Sequence, residues 1–245
     1  MNSPDANQTF PAVPDQEPPV TGAMGYPKRL AYLLLGQVVS AVGIVAMVQA
    51  NIGLDPWNCL HQGLSNVTGI PFGTCSILVG ATATLVAFLL KEPLGLGTVV
   101  SVVVPGVLIN LLQDWALIPQ MQQLWSGALM MLAAQVVLAL GTTCYMAAAL
   151  GAGPRDALMV SVSRAMRVAP GLCRTALEVA AVALGWGMGA KAGVGTVLAA
   201  LTIGPILQGV FHLFRFDPRA IRQLDFPALW RDIKARRAGA SQTEE

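Results

Sequence analysis

Charge is what this chain has least of. Asp, Glu, Lys and Arg make up 11% of its 245 residues, against roughly 25% in a soluble domain, too few to cover a water-facing surface of this size. Aromatic residues are also scarce, at 6%, so the 54% hydrophobic content is mainly Ala, Val, Leu, Ile and Met. Cys59, Cys75, Cys144 and Cys173 show no Cys-x-x-Cys spacing. They are expected as free thiols, with no disulfide and no zinc site. The two histidines, His61 and His212, fall in opposite compartments of the topology argued below, so they share no metal. There is no Walker motif and no His-Glu-x-x-His, and the nearest Ser-His-Asp grouping, Ser65 with His61 and Asp55, has no supporting pattern. These absences exclude a disordered protein, a disulfide scaffold and a nucleic-acid-binding domain. They leave no enzyme constellation, no metal site and no cofactor to expect.

What is present is aliphatic and rich in glycine. The mean hydropathy is +0.60 and there are 25 glycines, the profile of an all-α polytopic membrane protein. A bilayer core needs about 20 apolar residues per helix. Six runs qualify, at residues 30–50, 72–90, 96–117, 124–150, 172–188 and 194–214. Two shorter amphipathic stretches remain, 56–68 and 154–167. Residues 1–27 are polar and proline-rich, with no apolar stretch of a secretory signal. They are expected as a disordered tail, with Met24 a second candidate start. Residues 215–245 form a basic tail in which Trp230, Ile233 and Lys234 suggest a short surface helix.

Basic residues set the orientation. Lys28 and Arg29 precede the first span, which puts the N-terminus in the cytoplasm, and six spans return the C-terminus there. Of the 15 Lys and Arg residues, only Lys191 then lies outside. The expected location is the bacterial inner membrane, with both termini cytoplasmic and the lipid bilayer as the first partner.

Sliding the chain on itself by 98 residues gives a gapless match of about 18 identities in roughly 75 positions. Gly53, Pro56 and Leu60 fall on Gly151, Pro154 and Leu158. Gly73 and Cys75 fall on Gly171 and Cys173, and Gly106 on Gly204. Gly95-Leu96-Gly97-Thr98-Val99 falls on Gly193-Val194-Gly195-Thr196-Val197, and Gln37-Val38-Val39 on Gln135-Val136-Val137. The excess sits at Gly, Pro and Thr, which generic apolar matching does not select. The expected organisation is therefore a six-helix bundle of two three-helix repeats, 28–123 and 124–214. Because each repeat has an odd number of spans, the second is inserted upside down, as in many secondary transporters.

Gly53-Leu54-Asp55-Pro56-Trp57-Asn58, the Gly151-Ala152-Gly153-Pro154-Arg155-Asp156-Ala157-Leu158-Met159 segment, the two Gly-x-Gly-Thr-Val segments and Arg174 with Glu178 together resemble the YczE/YyaS/YitT family of bacterial integral membrane proteins, the YczE branch in particular. The resemblance covers residues 30–214. It implies a multi-pass protein of the bacterial plasma membrane and supplies no substrate or reaction.

Three groups of residues are candidates for function. Arg174 and Glu178 are ionisable groups in the fifth span, costly in hydrocarbon, and four residues apart on one helix face. They suit a coupling or gating pair, or a static ion pair with Arg174 reaching the interface. Gly80 holds the repeat position of Glu178, so the carboxylate belongs to one half alone. The second group is the start of the two short helices. Asp55 can cap a helix begun by Pro56, with Trp57 and Asn58 in its first turn, and Pro154 begins the other, with Arg155 and Asp156. Either these are broken helices whose positive ends face a central site, or they lie in the interface with Trp57 in an aromatic belt. The interfacial placement is the default expectation. The third group is Gly97, Thr98, Gly195 and Thr196, where backbone amides can approach a ligand or, by default, make turns and close packing. With them come Pro105 and Pro205, kinks at nearly equivalent places that suit a hinge. The expected function is secondary transport of a small solute, efflux included. The alternative is a non-transporting accessory or regulatory protein that binds a partner.

Overall fold

In the computed structural model, residues 25–217, 223–225 and 230 are described. The leader through residue 24 and the stretch around Ile233 lie outside the described residues. Among the described residues there are eight α-helices and no strand: α1 (Tyr26–Gln49), α2 (Pro56–Thr68), α3 (Phe72–Leu89), α4 (Leu96–Asp114), α5 (Leu124–Ala147), α6 (Pro154–Met166), α7 (Pro170–Gly187) and α8 (Val194–Leu213). The six predicted spans are α1, α3, α4, α5, α7 and α8, and the two short stretches are α2 and α6.

Five of these helices, α1, α3, α4, α5 and α8, are each long and apolar enough to cross a membrane. The sixth is the exception. Its share of polar residues, Arg174 and Glu178 among them, leaves α7 short of that mark alone, and it qualifies only together with α6, to which it is bent by 117°. Large apolar side chains cover the outside: Leu35, Leu85, Phe88, Leu129, Val179 and Leu201 are each more than half exposed. Apolar residues on that scale fit a lipid-facing surface.

Helix boundaries recur at the predicted spacing. Adding 98 to Tyr26–Gln49, Pro56–Thr68 and Phe72–Leu89 gives the bounds of α5, α6 and α7. Contacts between the halves recur too, with the halves exchanged. The Gly97 N–H donates to the Leu150 carbonyl at 2.7 Å, and its counterpart Gly195 donates to Ile52, the counterpart of Leu150, at 2.8 Å. Such reciprocity is what a two-fold relation produces.

The centre is the α1–α5 pair, the most extensive helix contact in the molecule. Small residues permit it: Gly36 lies against the backbone of Gly141 and Tyr145, and Gly43 against that of Ala134 and Leu138. Ala41, Ile44 and Val45 pack on one side with Phe72 and Ile109. On the other, Met47 and Ala50 meet Met131, Ala134 and Ala199. A methyl group at Gly36 would sit 2.5 Å from the Tyr145 nitrogen and 2.8 Å from the Gly141 oxygen, atoms that cannot rotate away. Gly36→Val is therefore expected to cost about 3 kcal/mol or more, seen as loss of monodisperse protein in detergent and a lower thermal midpoint than Gly187→Val, where nothing lies near.

The short helices begin in the middle of the bundle and end at opposite ends of it. At one end, Asn66 near the close of α2 donates to the Gly189 carbonyl at 2.8 Å, and Lys191 donates to Asn51 at 2.6 Å. At the other, Arg164 near the close of α6 pairs with Glu92 at 2.9 Å. Leu224 donates to the Ala149 carbonyl at this end as well.

Candidate functional site

The loops before α2 and α6 are held by the threonines of the Gly-x-Gly-Thr-Val segments. Thr98 Oγ1 donates to the Ala152 carbonyl at 2.7 Å, and the Leu54 N–H donates to Thr196 Oγ1 at 3.2 Å. Gly53 and Gly151 take φ of +127° and +136° in these loops, a backbone that favours glycine. Each lets the chain turn back into the bundle before its helix begins. The amides of Gly97 and Gly195 are spent on the loop carbonyls, so these glycines serve close packing, the default expectation, and not ligand contact.

Both helix starts open on one cavity of about 410 Å³. Its walls include Trp57, Asn58 and His61 from α2, and Gly153, Pro154, Arg155 and Asp156 from α6 and the residue before it. The middle of α1 adds Gln37 and Ser40. A smaller cavity of about 130 Å³ adjoins it, lined by Asp55, Trp57, Arg155, Asp156, Arg174 and Glu178 among others. The expected interfacial placement of α2 and α6 is thus corrected. Asn58 and His61 are 1% and 2% exposed. The Arg155 guanidinium lies 5.2 Å from the centre of the Trp57 ring, so Trp57 stacks on a cation inside the protein and forms no aromatic belt. Arg155 likewise lies between the halves, not in a surface loop.

The seven polar and aromatic candidates therefore come together. Asp55 sits at the N-cap position of α2, but its side chain makes no capping bond; it accepts a hydrogen bond from the Asn58 amide. Asn58 also faces His61 Nδ1 at 3.3 Å. Arg174 and Glu178 form the expected pair, Nε to Oε1 at 3.0 Å, with side chains 58% and 33% exposed. Several site residues were missed. Gln37 donates to Ser101 Oγ at 2.5 Å, and the Ser40 hydroxyl, buried on the cavity wall, has no partner among the described residues. His61, Ser76, Ser101, Thr142 and Tyr145 add to the polar lining. The available signal was a lone polar residue in an apolar helix. Gln37 carried a second, its match with Gln135 across the repeat.

The two halves differ at one seam each. α3 packs against α4, with Gly73 buried on Gly106. Asn110 of α4 ties this seam, accepting from the Gly73 N–H at 2.8 Å and donating to Thr74 Oγ1 at 2.9 Å. The counterparts α7 and α8 have no comparable packing. Gly171 and Gly204, the repeat mates of Gly73 and Gly106, are exposed, with nothing against them. Pro105 follows the same rule: it is buried on the cavity wall, whereas Pro205 is exposed.

Comparison with known proteins agrees with a membrane protein. Residues 27–212 match the model of a family described as "Family of unknown function (DUF6198)". An uncharacterized protein of Haemophilus influenzae is 32% identical over 181 residues, 74% of this chain and 82% of its own length. The uncharacterized membrane protein YczE of Bacillus subtilis is 28% identical over 201 residues, 81% of this chain and 89% of its own. No solved structure matches the chain. With its apolar helices and this family match, the chain is a membrane protein of the YczE type and belongs to the DUF6198 family.

Proposed function

We propose that this protein is a secondary transporter that carries a small solute through the central cavity by opening its two seams in turn. One observation carries the reading: the Gly73–Gly106 seam is closed while its repeat mate, Gly171–Gly204, is open. Two further features support it. The contacts between halves are reciprocal, as an inverted repeat about an axis in the membrane plane would make them. The positive ends of α2 and α6 face a shared cavity, the arrangement of discontinuous helices at transporter midplanes.

The same reading puts the chain in the bacterial inner membrane with both termini in the cytoplasm. Lys28, Arg29, Lys91 and the basic residues after Phe214 support that orientation. The open seam then faces inward, and the conformation is inward-facing.

The test is sided labelling. Single cysteines replace Ile77, which lies on Gly106 in the closed seam, and its exposed repeat mate Thr175, in protein freed of its four native cysteines, and are offered a membrane-impermeant maleimide from either face. Position 175 is expected to react from the inside and position 77 far more slowly, and a transported solute should change both rates in opposite directions. Flux of that solute into proteoliposomes should accompany the change. If no solute of a broad panel alters either rate or moves across the membrane, the protein is an accessory and the transport reading falls.

A further inference from the structure

The geometry points to a zwitterion as the solute: a compact molecule carrying one carboxylate-like anion and one ammonium group, bound in the central cavity between Arg155 and Asp156. This rests on the reading of that cavity as a transport site and adds the chemical class of its cargo.

The argument starts from commitments already made in the cavity. Most of its polar groups are spent. Asp55 is bonded to Asn58, Gln37 to Ser101, and Glu178 to Arg174. Two charged groups of the lining are left over. The Arg155 guanidinium lies over Trp57 and makes no ion pair or side-chain hydrogen bond among the described residues. Nor does the Asp156 carboxylate, although it is the next residue and lines both cavities.

A site holding one cation and one anion, neither of them hydrogen-bonded, discriminates by what each ligand leaves unpaired. A simple carboxylic acid would answer Arg155 and the positive end of α6, yet leave Asp156 facing a second negative charge. A simple amine would answer Asp156 and leave Arg155 opposed. Arg174 and Arg155 already act on the Asp156 carboxylate through space, and a ligand with a single charge would oppose one member of this balance, whereas a ligand with both signs answers each. The volume of about 410 Å³ lies in the range of small-molecule sites and suits a solute of amino-acid size.

The test uses purified full-length protein in detergent and matched trios on one carbon skeleton. Leucine, 3-methylbutylamine and 4-methylpentanoate form one trio; phenylalanine, phenethylamine and 3-phenylpropanoate form another. Titration calorimetry reads affinity. In at least one trio the zwitterion should bind tenfold or more tightly than either single-charge partner. Arg155→Gln should weaken that zwitterion by about 10- to 100-fold, the weight of a charged hydrogen bond, while the amine is retained. Asp156→Asn should do the reverse and retain the acid. Arg155→Lys keeps the charge and should recover part of the loss, which separates the effect from misfolding. An amine or acid that binds as tightly as its zwitterion overturns the assignment, as does the absence of any zwitterion binding. So do variants that weaken all three ligands alike. Flux without zwitterion preference sinks this assignment alone, and zwitterion binding without flux sinks the transport reading alone.

Discussion

Gly171→Val is expected to leave a folded protein that no longer transports, while Gly73→Val damages the fold itself. The two positions are repeat mates with the same residue and the same place near the start of their helices. Their surroundings differ. A Cβ at Gly171 meets nothing within 4 Å, whereas at Gly73 it would fall on the Gly106 carbonyl and the Asn110 side chain. Valine at an exposed helix position changes stability by about 0.5 kcal/mol or less, so the thermal midpoint of Gly171→Val should stay near that of the parent. Valine at position 73 must push α3 off α4, at a cost of about 1–3 kcal/mol or more, and should lower the midpoint by several degrees. For transport the expectation is inverted. When the second seam closes, position 171 must come as near to residue 204 as Gly73 now is to Gly106, and a side chain forbids it. Solute flux should therefore drop at least tenfold in Gly171→Val despite its intact fold. Wild-type flux from that variant, measured in the same proteoliposomes as the parent, would remove the second seam from the cycle.

How far the sequence reaches can be judged at this same pair. Apolar run length and the Pro, Gly and Thr punctuation located the eight helices of the described residues, because both signals are local. The 98-residue match put Gly73 with Gly171 and Gly106 with Gly204 before any contact was known. It had no means of showing that one pair touches and the other does not, since a conformational state is not written in residue identity when both halves carry the same glycine. Depth was hidden for a related reason. The stripe of Trp57, Leu60 and Leu64 fixes a face of α2, and a face looks the same at an interface and at the centre of a bundle. The Trp57–Arg155 contact that decides it joins residues 98 apart in the chain. The charged site residues stood out because hydrocarbon makes them expensive. Ser40 and Tyr145 did not, because single hydroxyls are cheap enough to be common in such helices.

Glu178→Gln is the second large effect, and it tests whether the Arg174–Glu178 pair works or merely rests. As the structure stands, the pair is exposed at the open seam. Such i,i+4 pairs contribute a few tenths of a kcal/mol at most, so breaking it should barely move the thermal midpoint. Closure of α7 on α8 changes its setting, because the two charges then lose their solvent. A pair that is cheap in water becomes costly to bury unless it gains partners or a proton. The first seam has no such demand: Gly80 stands where Glu178 does, and a methyl there would meet Val102 at 3.5 Å. One seam is thus free to close on small groups while the other must resolve a charge. That asymmetry suits a group that couples closure to cargo or to a proton. Glu178→Gln removes the charge with little change of volume and is expected to lower solute flux tenfold or more at unchanged stability, and to abolish any dependence of flux on an imposed pH gradient. Arg174→Gln should reduce flux without removing that dependence. If Glu178→Gln transports like the parent and responds to the gradient as before, the pair is a static surface contact and coupling must be sought at Asp55 or Asp156, the remaining carboxylates of the two cavities.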